Sequence, residues 1–453
     1  MPGPEARPRD EARPRDEAKA GGPLEAAAAA VSGGAATPAT GGLVTPKEAK
    51  PGIPMLRWSS RAHSIAACQV ELERIWRSIS LTTPGVPSGD DLSPVGEERR
   101  VAARSSVMNL VVVAGRGETG ERAAAVIQGL TGRHPSRTII VTPADPDGPA
   151  WIDAQVQAHC VLPTADSPET CAELIYLTAG GESGGHLAGI VAPLLVHDLP
   201  CTVWWPGEPH LQVRATKDLL VMADRVLVDG AGWSGDGLER LAELASLPNT
   251  FGVEIADFAL LRQSRWREAI ASSFDLPRLT PFLGAIRAIT VRYAARDGAP
   301  GVTNVIKPIY HVAWLASRLG LTVETPLAAV EDDWSGYHGV LRAGRRQVAV
   351  ALEPIEAAAA GSTLEVEIAA ERTNHMLLVR VTGQADGITV ATTLDGEQLP
   401  DRHYLVPRRQ EGELLAETIE DAGAHPITAE ALAMAAAIVG RPVHGTRAGM
   451  RAA

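Results

Sequence analysis

Between residues 109 and 229 the chain alternates short strand-like runs, that at 110–114 continuously apolar, with stretches of helical periodicity. The runs at 110–114, 138–142, 155–162, 173–178, 201–205 and 225–229 predict strands. The stretches at 121–130, 186–196 and 211–223 predict helices, and 237–246 and 253–274 read as two more that close this part of the chain. An earlier helix is predicted at 64–79, where Ile65, Cys68, Leu72, Ile75, Trp76 and Ile79 recur on one face. Strands apolar on both faces and alternating with helices imply an α/β domain. Its sheet is mixed or mostly parallel and flanked by helices.

After residue 280 the pattern changes. A strand is predicted at 288–294 and a helix at 305–319, followed by strand-like runs at 340–341, 347–352, 363–369, 376–381 and 388–393. Turns such as Ala385-Asp386-Gly387 and Asp395-Gly396 join some of these runs, which is hairpin chemistry. Helices at 413–422 and 428–439 end the chain. The second domain is therefore expected to be strand-rich, antiparallel α+β. The expected boundaries are a low-complexity, disordered tail at 1–55, a first domain at 56–280 and a second at 281–453. The tail carries the repeated hexapeptide Ala-Arg-Pro-Arg-Asp-Glu and too little apolar surface to offset the ordering of its backbone.

Charge narrows the function classes. Lys plus Arg number 42 against 54 Asp plus Glu, a net charge of −12. That balance opposes non-specific nucleic-acid or anionic-membrane binding, and no apolar stretch is long enough for a membrane span. A cytoplasmic protein is expected, with no nucleic-acid or membrane partner. The four cysteines, Cys68, Cys160, Cys171 and Cys201, form no CxxC pair and are expected to be free, mostly buried thiols.

Two glycine-rich motifs bear on catalysis. Gly115-Arg116-Gly117-Glu118-Thr119-Gly120 fits G-x-G-x-x-G between a strand and a helix, the context of a dinucleotide loop. The next strand, however, ends Val141-Thr142-Pro143, where an acidic residue should meet the ribose. Gly181-Glu182-Ser183-Gly184-Gly185 fits G-x-S-x-G, yet His197, His210 and His311 lie in no recognisable triad context. No zinc or calcium motif is present, so no catalytic, cofactor or metal residue is assigned. The competing enzyme reading is a nucleotide-binding oxidoreductase using residues 115–120.

Two segments stand apart: His134-Pro135-Ser136-Arg137 before a buried strand, and Val203-Trp204-Trp205-Pro206-Gly207-Glu208-Pro209 at the end of another. A Trp pair at a strand end either caps the core or anchors a partner surface. These segments, with NLVVVA at 109–114, HPSRTIIV at 134–141, IVAPLLVHDL at 190–199, ADRVLVD at 223–229, RWREAIASSF at 265–274 and AWLASRL at 313–319, resemble the OpcA family of glucose-6-phosphate dehydrogenase assembly proteins. The resemblance implies a non-catalytic factor without a cofactor. Such a factor binds the oligomeric glucose-6-phosphate dehydrogenase of the oxidative pentose phosphate pathway and activates it allosterically. On that reading Trp204, Trp205, Glu208, His134 and Arg137 are candidates for the partner interface.

Overall fold

The computed structural model describes residues 42–43, 52–81, 102–104, 106–162, 169–296, 302–330, 336–357, 359–421 and 426–441. The expected tail therefore falls mostly outside the described residues. Within its limits, β1 (Gly42–Leu43) pairs with β2 (Met55–Ala62).

Ten strands build the first sheet: β1, β2, β3 (Ala102–Arg104), β4 (Asn109–Val113), β5 (Arg137–Pro143), β6 (Trp151–Val161), β7 (Glu169–Gly180), β8 (Cys201–Trp205), β9 (Arg225–Val228) and β10 (Glu254–Asp257). Their order is β1-β2-β6-β7-β5-β4-β8-β9-β10, with β3 beside β7. The strands from β7 to β10 run parallel, and β6, β2 and β1 add an antiparallel flank. The apolar run at β4 shows why this sheet is covered on both faces. Leu110 and Val112 enter one core cluster while Val111 enters the other, as a period of two requires. Helix α1 (Ile65–Leu81) lies over β2 and β6, and α2 (Gly117–Gln128) carries the chain from β4 to β5. Helices α3 (Leu187–Val191), α4 (Arg214–Leu220) and α5 (Leu238–Phe251) follow.

The stretch at 253–274 is not one helix. Gly252, at φ 73°, ends α5, and Glu254–Asp257 pairs in parallel with β9 before α6 (Phe258–Leu261) and α7 (Ser264–Ser272) begin. Four residues of mixed polarity gave no strand signal by themselves; the exposed edge of β9 supplies the partner.

The second sheet contains β11 (Ile286–Ala295), β12 (Thr322–Ala329), β13 (Tyr337–Ala343), β14 (Arg346–Glu356), β15 (Thr363–Arg372), β16 (His375–Gly383), β17 (Gly387–Leu394), β18 (Glu397–Gln398) and β19 (Arg402–Leu405). It is antiparallel except where β11 and β14 run side by side in parallel. One face is apolar, through Ile289, Val350, Val366 and Val379; the other carries Arg292 among Glu353, Glu365 and Glu367. Helix α8 (Ile306–Arg318), buried over most of its length, covers the apolar face. Helix α9 (Glu411–Glu420) returns to the first sheet, where Leu414 and Leu415 join the cluster of Leu110, Trp204 and Phe258. Helix α10 (Pro426–Ile438) packs on α8 and α5.

The thiol expectation needs correction. Cys160 and Cys171 stand opposite each other on β6 and β7, 4.0 Å apart at Cα, and form a disulfide; Cys68 and Cys201 are free and buried. Strand register made the pair adjacent, which residue spacing alone could not reveal.

Candidate functional site

The expected interface residues do not form one patch. Successive residues of a strand face opposite ways. Trp204 (0% exposed) therefore enters the smaller core against Phe258, ring centroids 6.2 Å apart, and Trp205 (3% exposed) enters the larger core. Of the two alternatives for the Trp pair, both indoles take the first and cap the core. Arg137 (7% exposed) is buried too. Its Nε donates to Glu173 and its Nη1 to the Leu194 carbonyl at 2.9 Å. Such a guanidinium is part of the packing, because a buried carboxylate needs its counter-charge.

His134 lies within hydrogen-bond distance (3.0 Å) of Glu420 on α9. Glu208 accepts from the Ser234 amide (3.0 Å) and hydroxyl (3.2 Å) and pairs with Arg240. Burial opposes its ionisation, but those donors and His210 hold its carboxyl below the usual range. Arg137 is in register with Cys201 through β4, four residues before Trp205. His134 and Glu208 therefore sit toward opposite ends of the parallel strands, with about 13 Å of strand between those ends.

The glycine loops are also resolved. Gly115 and Gly117 have no positive φ and open space where a Cβ would stand. Gly120 is constrained, since a Cβ there would come 3.1 Å from Ile140 Cγ2; this glycine lets α2 lie close to β5. Ser183 lies in a short 3-10 turn (Gly181–Gly185), and none of His197, His210 or His311 hydrogen-bonds it among the described residues. His311 is buried on α8 against Trp266, and burial, with Arg267 and Lys307 nearby, pushes it down to about 3.

What the fold does assemble is a cleft of about 810 Å³ beyond the carboxyl ends of β8 and β9. Pro206 and Gly207 continue from the Trp pair, and Asp229 and Gly232 continue from β9. Arg122 comes from α2, Arg262 follows α6, and Lys307 lies in the first turn of α8. Ser362 and the segment 406–411 complete the wall from the second sheet's connections. Beneath it, buried Asp257 accepts from Gly230 N (2.9 Å), Ala259 N (2.8 Å) and the Tyr310 hydroxyl (2.8 Å), which fixes the turn after β9. Burial, with Asp229 adding, pushes the Asp257 carboxyl up to about 6.

Five cations line the cleft, Arg122, Arg262, Lys307, Arg408 and Arg409, against two carboxylates, Asp229 and Glu411. Arg262 Nη1 reaches both Asp229 oxygens at 2.7 Å. Arg122 donates to the Pro206 carbonyl (3.0 Å) and lies 3.6 Å from Glu411, while Arg409 pairs with Glu417. The side chains of Lys307 and Arg408 form no hydrogen bond or ion pair among the described residues. Burial pushes the Lys307 ammonium down; Asp229 opposes this, while Arg262 and Arg408 add to it. Burial likewise pushes the Glu411 carboxyl up.

None of these seven charged residues was singled out in the sequence, because they come from five separate segments spanning residues 122 to 411. The doublet Arg408-Arg409 and the Asp ending ADRVLVD were the available signals.

A family model described as the glucose-6-phosphate dehydrogenase subunit N-terminal domain matches residues 127–246, and one described as its C-terminal domain matches 253–432. A protein named OxPP cycle protein OpcA from Synechocystis sp. (strain ATCC 27184 / PCC 6803 / Kazusa) is 28% identical over 196 residues, covering 43% of this chain and 39% of its own length. A protein of the same name from Nostoc punctiforme (strain ATCC 29133 / PCC 73102) is 27% identical over 251 residues, 55% of this chain and 51% of its own. The chain thus spans about half or less of the curated relatives it matches. Among solved structures, yvaA of Bacillus subtilis, described as an oxidoreductase, aligns with a TM-score of 0.41 and 13% identity over 74% of this chain and 96% of that one. KijD10, a 3-ketoreductase from Actinomadura kijaniata, aligns at 0.40 and 12% over 75% and 97%. Likeness at that level carries no argument about chemistry.

Proposed function

The chain belongs to the OpcA family, and from that premise we propose that it is a non-catalytic assembly factor and allosteric activator of glucose-6-phosphate dehydrogenase, acting in the cytoplasm on the oxidative pentose phosphate pathway. The observation that carries this reading is the pair of family matches, which together run from β5 to α10 through both sheets.

An activator of this kind works by differential affinity. It binds the active conformation or oligomer of the enzyme more tightly than the inactive one. A preference of about 1.4 kcal/mol shifts that equilibrium tenfold. A first sheet packed on both faces supports such a role, since it presents one fixed surface to which the enzyme conforms. Within that reading the turn 206–209 contacts the dehydrogenase through Glu208, and His134 contributes at the opposite strand end. Trp204, Trp205 and Arg137 act as positioning residues from the core beneath.

Sedimentation of the dehydrogenase with and without equimolar full-length chain tests the proposal. A heavier complex containing both proteins is expected, weakened by Glu208→Lys. Separate boundaries at micromolar concentrations of both would overturn it.

A further inference from the structure

We propose that the cleft beyond β8 and β9 is a binding site for a phosphorylated, hydroxyl-bearing small molecule, its phosphate held by Lys307 and Arg408. The inference goes beyond the dehydrogenase reading and does not depend on it, because binding is measured on this chain alone.

Four observations converge. The first is place. Helix α2 leads from β4 to β5 on one side of β4, whereas β8 lies on its other side and leads through α4 to β9. The strand order thus reverses between β4 and β8, and the crevice outside the carboxyl ends at such a point is where open parallel sheets hold ligands. The second is size, since about 810 Å³ lies within the range of small-molecule sites.

The third is charge. A surplus of cations has gathered in one cleft of a chain whose net charge is −12, and the side chains of two of them form no hydrogen bond or ion pair among the described residues. Lys307 is half-buried; Asp229 attracts it, while Arg262 and Arg408 crowd it with like charge. A phosphate dianion relieves that repulsion and accepts charge-assisted hydrogen bonds from both the ammonium and the guanidinium.

The fourth is the mixed character of the lining. Asp229, Glu411 and the Ser362 hydroxyl are acceptors among the cations. They suit the hydroxyls of a sugar or ribose and would repel the successive carboxylates of an acidic peptide. The shared chemistry is a phosphate ester on a polyol, whether sugar phosphate or nucleotide.

The test titrates the full-length chain by calorimetry with inorganic phosphate, glucose 6-phosphate, unphosphorylated glucose and NADP. Saturable binding of at least one phosphorylated probe, with none for glucose, is expected. Tighter binding of glucose 6-phosphate than of NADP identifies a sugar-phosphate site, and the reverse order a nucleotide site. Lys307→Gln and Arg408→Gln should each weaken binding by about tenfold or more, the loss of a charge-assisted contact. Arg408 is exposed, so its variant tests the site without disturbing the fold. The proposal is overturned by no saturable binding of any phosphorylated probe, or by binding that both variants leave unchanged. Lys307-dependent binding of a polyglutamate peptide in place of the phosphorylated probes would overturn it as well.

Discussion

Arg137 offers the sharpest contrast between a surface residue and a core one. Its partner Glu173 is 1% exposed; it holds the Arg137 guanidinium on one oxygen and accepts the Trp76 indole N–H on the other. Replacing Arg137 by Met keeps the apolar stem and removes the charge, taking the guanidinium from Glu173 and a donor from the Leu194 carbonyl. Breaking a buried pair from one side costs about 3–5 kcal/mol, and the remaining Trp76 donor places this case near about 3. The double variant Arg137→Met/Glu173→Met removes both charges and should recover at least about 1 kcal/mol of that loss. Urea unfolding followed by near-ultraviolet circular dichroism measures all three proteins. A single variant within about 0.5 kcal/mol of wild type, the range of ordinary surface substitutions, would refute the argument and return Arg137 to the surface.

Trp204→Ala should cost about 3–5 kcal/mol in the same assay, as for any fully buried Trp, and a loss below about 0.5 would mean that the ring is exposed. Burial pushes His159 down to about 4 and His311 to about 3, so below about 6.5 the unfolded chain takes up protons that the folded chain refuses, and stability falls. Asp257, raised to about 6, works the other way as pH falls toward 4; the balance of the three predicts a net loss of about 2 kcal/mol between pH 7 and 5, partly cancelled in His311→Leu, and flat or rising urea midpoints would contradict it. Alkylation of the unreduced, denatured protein should leave two cysteines protected, and reduction should lower stability by up to about 3 kcal/mol, the entropy of a loop with 11 residues of separation; a melting curve indifferent to reductant in wild type would contradict the bridge.

How far the sequence revealed the molecule follows from where each signal resides. Strands apolar on both faces, such as β4, β5 and β8, announce themselves, since nothing but a buried sheet accommodates Leu110–Val113 or Val203-Trp204-Trp205. Strands whose identity depends on a neighbour do not. β2 contains Arg57, Ser59 and Ser60, and it is a strand because β6 offers an antiparallel edge; β12, with no buried residue, needs β13 in the same way. The parallel pairing of β11 with β14 and the bridge between Cys160 and Cys171 are likewise matters of register. Burial of the Trp pair was legible as one of two alternatives, because a strand end presents both its faces to whatever the fold packs there. The cleft was not legible at all. Lys307 is the cation in the first turn of a largely apolar helix, and only the return of segment 406–411 to the first sheet brings Arg408 to it.

The most direct measurement is the steady-state rate of NADP reduction by a fixed amount of the cognate glucose-6-phosphate dehydrogenase as this chain is added. The account predicts a rate that climbs and then saturates at a fixed molar ratio of chain to enzyme, with no turnover by the chain alone. A dehydrogenase rate indifferent to the chain, or NADP reduction by the chain without the dehydrogenase, would contradict it.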